Sequence, residues 1–148
     1  MWLMLQQKDP EDYVIGTGES HSVREFIEKA FSYAGINISW QGEGNNTRGI
    51  IDSLSPGLKV PASLKKGDVL IEIDPRYLRP NEVKCLCADI SKAKKCLNWE
   101  PKIKFEDLIK IMVDCELNNV GIDCPGQGVK ICGNLWLGCI AHDFCEKI

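Results

Sequence analysis

The sequence predicts an α/β fold, on three observations. A capped amphipathic helix begins at Ser22, two strand patterns lie at 36–40 and 69–73, and a second amphipathic helix runs from Phe105. The chain has 148 residues, 44% of them hydrophobic and 26% charged, which is ordinary globular composition. That length can bury a core. A net charge of −3 gives no basic footprint for nucleic acid. No apolar run approaches the ~20 residues that span a bilayer. Residues 1–5 are apolar, but they lack a basic n-region and are too short for a secretory leader.

Residues 1–7 read as the end of a helix, cut off at its start. Tyr13-Val14-Ile15 reads as a short buried strand ended by Gly16-Thr17-Gly18. Ser22 and Glu25 form a capping box. After it, Val23, Phe26, Ile27, Ala30, Phe31 and Ala34 recur at helical spacing, and Gly35 sits where a left-handed cap belongs. His21, just before the box, is expected on the surface. Ile36, Ile38 and Trp40 alternate with polar residues as in a half-buried strand.

Residues 41–67 are rich in Gly, Asn, Ser and Pro and read mainly as a surface excursion, with a strand near 49–52. Val69 to Ile73 is a strand, and residues 82–86 are expected to form a helical turn. Ser91 is expected to cap a helix through Leu97, with Asn98 in the place of a C-cap glycine. The last regular element runs from Phe105 to Val113, with Glu106 and Asp107 favoured in its first turn by the helix dipole. Past about 118 the chain becomes Gly- and Cys-rich without sustained period. The expected organisation is therefore a folded unit over 1–115 and an atypical tail over 116–148 outside the fold.

Residues 74–83, Asp-Pro-Arg-Tyr-Leu-Arg-Pro-Asn-Glu-Val, are the richest in chemistry. Two prolines stiffen a turn directly after a strand. Arg79, before Pro80, presents a planar donor fork that suits a phosphate. Glu82 offers a carboxylate that can accept from neighbouring hydroxyls. Arg76 is the weaker choice, because a solvated or structural role suits it equally well. Solvated charges on an exposed turn are the plain alternative for the whole string.

Four blocks carry a resemblance. They are Met4-Leu5-Gln6-Gln7, residues 13–26 (Tyr-Val-Ile-Gly-Thr-Gly-Glu-Ser-His-Ser-Val-Arg-Glu-Phe), the 74–83 string, and residues 91–102 (Ser-Lys-Ala-Lys-Lys-Cys-Leu-Asn-Trp-Glu-Pro-Lys). In order and spacing they resemble the C-terminal part of the GDP-mannose 4,6-dehydratase family, extended short-chain dehydrogenase/reductases acting on nucleotide sugars. The resemblance covers roughly residues 1–115. It implies the substrate-binding lobe of such an enzyme, with Arg79 on the diphosphate and Glu82 on the ribose hydroxyls of GDP-mannose.

It implies equally what is missing. The family's Gly-rich dinucleotide turn, its Tyr-x-x-x-Lys pair and its acid–base groups have no counterpart here, so the Rossmann core is largely absent. Gly16-x-Gly18 and Gly42-x-Gly44 lack the third glycine, and Tyr13, Tyr33 and Tyr77 are followed four residues later by Thr17, Asn37 and Asn81. No catalytic residue is assigned. The lyase reaction implied for the whole enzyme is an internal redox cycle on NADP, giving the 4-keto-6-deoxy sugar nucleotide on the route to GDP-fucose. NADP is not expected on this chain by itself. The expected location is cytoplasmic, with the thiols reduced. The rival expectation is a non-catalytic interaction module that associates with full-length dehydratase subunits. A lobe without its partner half should also expose apolar surface.

The eight cysteines are concentrated toward the C-terminus. Cys139-x-x-His142-Asp143-x-Cys145 is similar to the active-site helix of secreted phospholipases, but Gly138 stands where that family has a cysteine. Cys124, Cys132, Cys139, His142 and Cys145 lack the tight pairs usual in structural zinc sites. No metal site is assigned.

Overall fold

The computed structural model describes residues 1–56, 64–77, 79, 83 and 85–134. Its architecture is mixed: helices pack against a small antiparallel sheet, in keeping with the α/β expectation. The elements are α1 (Trp2–Leu5), α2 (Val23–Tyr33), β1 (Ile36–Gln41), β2 (Arg48–Leu54), β3 (Val69–Glu72), α3 (Ser91–Leu97), α4 (Phe105–Asn119) and α5 (Gln127–Asn134). Single 3-10 turns occupy Gly44–Asn46 and Pro75–Tyr77.

Ser22 caps the helix as read, while the Glu25 carboxylate meets His21. Ser22 is extended and its hydroxyl accepts from the Glu25 amide at 3.0 Å. Gly35 follows the helix at φ +88°, a conformation that a side chain would strain. The chain turns directly into β1, whose Ile36 is core.

The sheet has the order β1-β2-β3, so the central strand is the one that the sequence shows least well. Residues 48–54 form a full strand rather than part of a surface excursion. Gly49 sets how closely its neighbours pack. A Cβ there would lie 2.9 Å from Ile71 Cδ1 and 3.2 Å from Ile38 Cγ2, so the bare glycine lets isoleucines from both flanking strands close over it. In β1–β2 the register pairs Ile38 with Ile51 and Trp40 with Gly49; in β2–β3 it pairs Gly49 with Ile71. A bulge accompanies each pairing, beside Ile38 in the first and beside Ile50 in the second. Gly42, at φ +81°, closes the β1–β2 connection so tightly that a Cβ would meet the Asn46 carbonyl.

The expected strand at 13–15 does not form among the described residues, and Val14 and Ile15 are exposed. A strand needs a ladder partner. Here the following turn instead meets residues 85–90 through side chains and close backbone packing. The turn of helix expected at 82–86 falls partly outside the described residues; Val83, Cys85 and Leu86 are not helical.

At α3, Ser91 is the first helical residue rather than the cap, and the Asp89 carboxylate accepts from its amide at 2.9 Å. Asn98 ends the helix at φ 48°, ψ 40°, as its position suggests. α2 packs on β1 and on α4, and α5 packs on α4. Ile36, Ile51, Ala93, Leu97 and Ile109 are buried.

α4 runs six residues past the expected end at Val113. The boundary expected at 115/116 therefore falls inside a helix, and residues 127–134 lie against it. Asp114 is fully buried and organises this contact. The Tyr33 hydroxyl donates to its carboxylate from 3.0 Å, and the amides of Gly126, Gly128 and Val129 donate at 3.3, 2.8 and 3.2 Å. The Tyr33 oxygen in turn accepts from the Gln127 amide at 3.0 Å. Burial pushes the Tyr33 hydroxyl pKa up from its usual value, although the Gly128 amide pulls the other way. Gly128 permits the approach, since a Cβ there would lie 2.3 Å from the Lys110 carbonyl oxygen. Residues 135–148 lie outside the described residues.

Asp114→Ala removes the acceptor of the buried Gly128 amide and of the part-buried Tyr33 hydroxyl and Gly126 and Val129 amides. Urea unfolding of this variant should show a loss of about 1–3 kcal/mol, the cost of such orphaned groups. An unchanged midpoint with unchanged amide protection in α5 would contradict this account of Asp114.

Candidate functional site

β3 delivers the chain into the turn at 74–77. Asp74 is the organiser. Its carboxylate accepts from the Arg76 amide at 2.9 Å, an Asx-type closure of the turn. It also takes the Arg76 guanidinium in a fork, with Nε at 3.0 Å and Nη2 at 2.5 Å from Oδ2. The guanidinium carbon lies 5.7 Å from the Tyr77 ring centroid, within cation–π range. Arg76 is thus tied within its own loop. Its donors are already engaged, which suits a structural role.

Arg79 is exposed and outside regular structure. Glu82, expected to accept from ribose, lies outside the described residues together with Pro80 and Asn81. Cys139, His142 and Cys145 also lie outside. Among the described residues no cluster of His, Cys, Asp and Glu is placed to hold a metal ion, and no helix is long and apolar enough to cross a membrane.

The nearest thing to a pocket lies elsewhere. A shallow cleft of about 410 Å³ runs between α2 and α4, lined by Glu28, Lys29, Ser32, Tyr33, Glu106 and Lys110. An ion pair joins Lys29 Nζ to Glu106 Oε1 at 2.5 Å within it, and none of its lining residues comes from the 74–83 loop.

His21 is exposed, as expected, but it is not free of contacts. Its ring stacks on Phe105 with centroids 3.7 Å apart and planes 3° apart, and its nitrogens lie 3.0 Å from Glu25 Oε2 and 3.5 Å from Glu19 Oε2. Glu19 also meets Lys104 Nζ at 3.0 Å, which with His21 holds its pKa below the usual range. His21 thereby fastens the start of α2 to the start of α4. The 84-residue separation of His21 and Phe105 leaves no local pattern from which this could be read.

The residues present do not fit a dinucleotide. A Cβ on Gly16 would lie 2.7 Å from the Ala88 Cβ, so that glycine serves close packing of two chain segments. Gly42 closes a hairpin connection. Neither opens a helix after a parallel strand, and the sheet is antiparallel.

A family model described as GDP-mannose 4,6 dehydratase matches residues 1–112. The chain belongs to the GDP-mannose 4,6-dehydratase family. A GDP-mannose 4,6-dehydratase of Vibrio cholerae is 47% identical over 112 residues, which cover 76% of this chain and 30% of the relative. The Dictyostelium discoideum GDP-mannose 4,6 dehydratase is 47% identical over 113 residues, 76% of this chain and 28% of its own length. The human one is 43% identical over 117 residues, 79% of this chain and 28% of its own. The matched stretch thus spans under a third of each of these GDP-mannose 4,6-dehydratases. The family match includes the 74–83 loop and ends inside α4, two residues before Asp114.

The Arg76 fork and the Arg76 amide hold the Asp74 carboxyl below the usual aspartate range. A carboxyl whose folded pKa is depressed adds stability above its unfolded pKa, and that stability is lost as pH falls through the depressed folded value. Arg76→Ala should therefore move the Asp74 titration up toward the ordinary aspartate range, as read by carboxyl NMR. An unmoved Asp74 would show that the pair does not persist in solution.

Proposed function

We propose that this chain supplies the nucleotide-sugar binding lobe of a GDP-mannose 4,6-dehydratase. The observation that carries the reading is the family match across the 74–83 loop, where Arg79 stands exposed just after a turn that Asp74 and Arg76 stiffen. In this reading Arg79 grips the diphosphate of GDP-mannose as a planar fork. Glu82 accepts from the ribose hydroxyls. Arg76 acts by holding the loop rather than by touching the ligand. The dehydration itself, and the NADP chemistry expected of the family, belong to residues that this chain does not carry.

A second reading has its own observation. Trp2 and Leu5 on α1 are 70% and 80% exposed, and Val14 and Ile15 are exposed as well. Apolar groups of that size in water favour a covering partner, which would suit a non-catalytic module that associates with full-length dehydratase subunits.

Calorimetry with GDP separates the two. Charge-assisted phosphate contacts contribute ~1.5–3 kcal/mol, so Arg79→Ala should weaken GDP binding about 10- to 100-fold. No GDP binding by the unaltered chain, with co-purification of a full-length dehydratase, would establish the second reading instead. Incubation with GDP-mannose and NADP should yield no keto sugar; product formation would overturn the assignment of catalysis to residues elsewhere.

A further inference from the structure

Cys85 and Cys87 lie between Arg79 and α3, two residues apart and both exposed. Both sulfurs face one short turn. Cys85 Sγ donates to Ser20 Oγ at 3.4 Å, and Cys87 Sγ donates to the Gly18 carbonyl at 3.2 Å. Gly18 and Ser20 are themselves two residues apart, so the two thiols project from the same side of their segment. The segments are pressed together beyond these contacts: Gly16 has no room for a Cβ against Ala88, and Gly18, at φ +73°, lies against Ile90. The two thiols are thus part of what joins residues 16–20 to residues 85–90.

Two thiols on one side of a non-helical segment can bond to each other. In an extended chain such positions have Cα atoms about 6.6 Å apart. Disulfides mostly require ~4.4–6.8 Å, with a mode nearer 5.5–6 Å. Closing the bond therefore draws the two Cα atoms together and turns each sulfur toward the other, away from Gly18 and Ser20. A cystine sulfur also has no S–H to donate. A bond closed under such strain is readily reduced again.

We infer that Cys85 and Cys87 form a redox-responsive dithiol latch, which holds the 16–20 turn when reduced and releases it when oxidised to a Cys85–Cys87 disulfide. The oxidant class is a small disulfide such as oxidised glutathione. The thiolate of one cysteine attacks a glutathione sulfur, and a glutathione thiolate leaves. The second thiolate attacks the protein sulfur of the mixed disulfide, and the second glutathione thiolate leaves. Two protein thiols lose two electrons and two protons; one glutathione disulfide gains them and becomes two thiols. The latch does not depend on the nucleotide-binding reading.

The full chain, incubated with oxidised glutathione, alkylated and digested with trypsin without reductant, tests this directly. Cleavage after Lys84 and Lys92 isolates residues 85–92, whose only cysteines are Cys85 and Cys87. That peptide should appear unalkylated and lighter by two hydrogens, and dithiothreitol should restore it. Cys87→Ser should stop at a glutathione adduct on Cys85. Amide hydrogen exchange over residues 16–20 should be faster in the oxidised chain than in the reduced one. Stable glutathione adducts on both cysteines, or a bond from either to Cys96, would overturn the dithiol; unchanged exchange at 16–20 in the oxidised chain would overturn the latch.

Discussion

A carboxylate with no exposed surface, Asp114, sits where α2, α4 and α5 meet, and the helical layer depends on it. Burying a charge is costly unless hydrogen bonds and dipoles replace the lost water. Here a phenol from α2 and the first amides of α5 do so, at the helix end where negative charge is favoured. Satisfying one ion fixes three elements. Tyr33 holds the end of α2 to α4, α2 lies on β1, and β1 sets the edge of the sheet whose far strand launches the 74–77 turn. The position of the candidate loop is thus linked to this ion through packing.

The parts of the fold legible in the sequence were those built from neighbours along the chain. The Ser22 cap, the alternation in β1, the apolar run of β3 and the left-handed Asn98 are all local devices, and the structure contains each. What escaped was held by distant partners. Gly49 read only as the start of a short strand within a surface excursion, because the isoleucines that close over it come from two other strands. Residues 13–15 have strand composition but, among the described residues, no ladder neighbour. α5 has no sustained apolar period; it is held by a charge on another helix and by the missing side chain of Gly128.

The candidate site divides in the same way. The Asp74–Arg76 pair is an interaction over two residues with a proline between them, which a reading of turn chemistry alone could have found. That pairing gives the two arginines of the loop different duties, one holding the turn and the other exposed beyond it. The thiol contacts to residues 18 and 20 span more than sixty residues and carry no local signature. Chemistry-bearing residues were easy to nominate, and their partners were not.

The family model's match ends at residue 112, yet the helix that carries that residue continues to Asn119 without a break. A helix of this length behaves as a short rod, about 22 Å end to end at its usual rise. Any tilt imposed on its C-terminal half is carried whole to its N-terminal half, where Glu106 and Phe105 meet Lys29 and His21. The segment beyond the matched region is therefore geared to the matched one, and a force applied to α5 reaches the start of α2 as leverage.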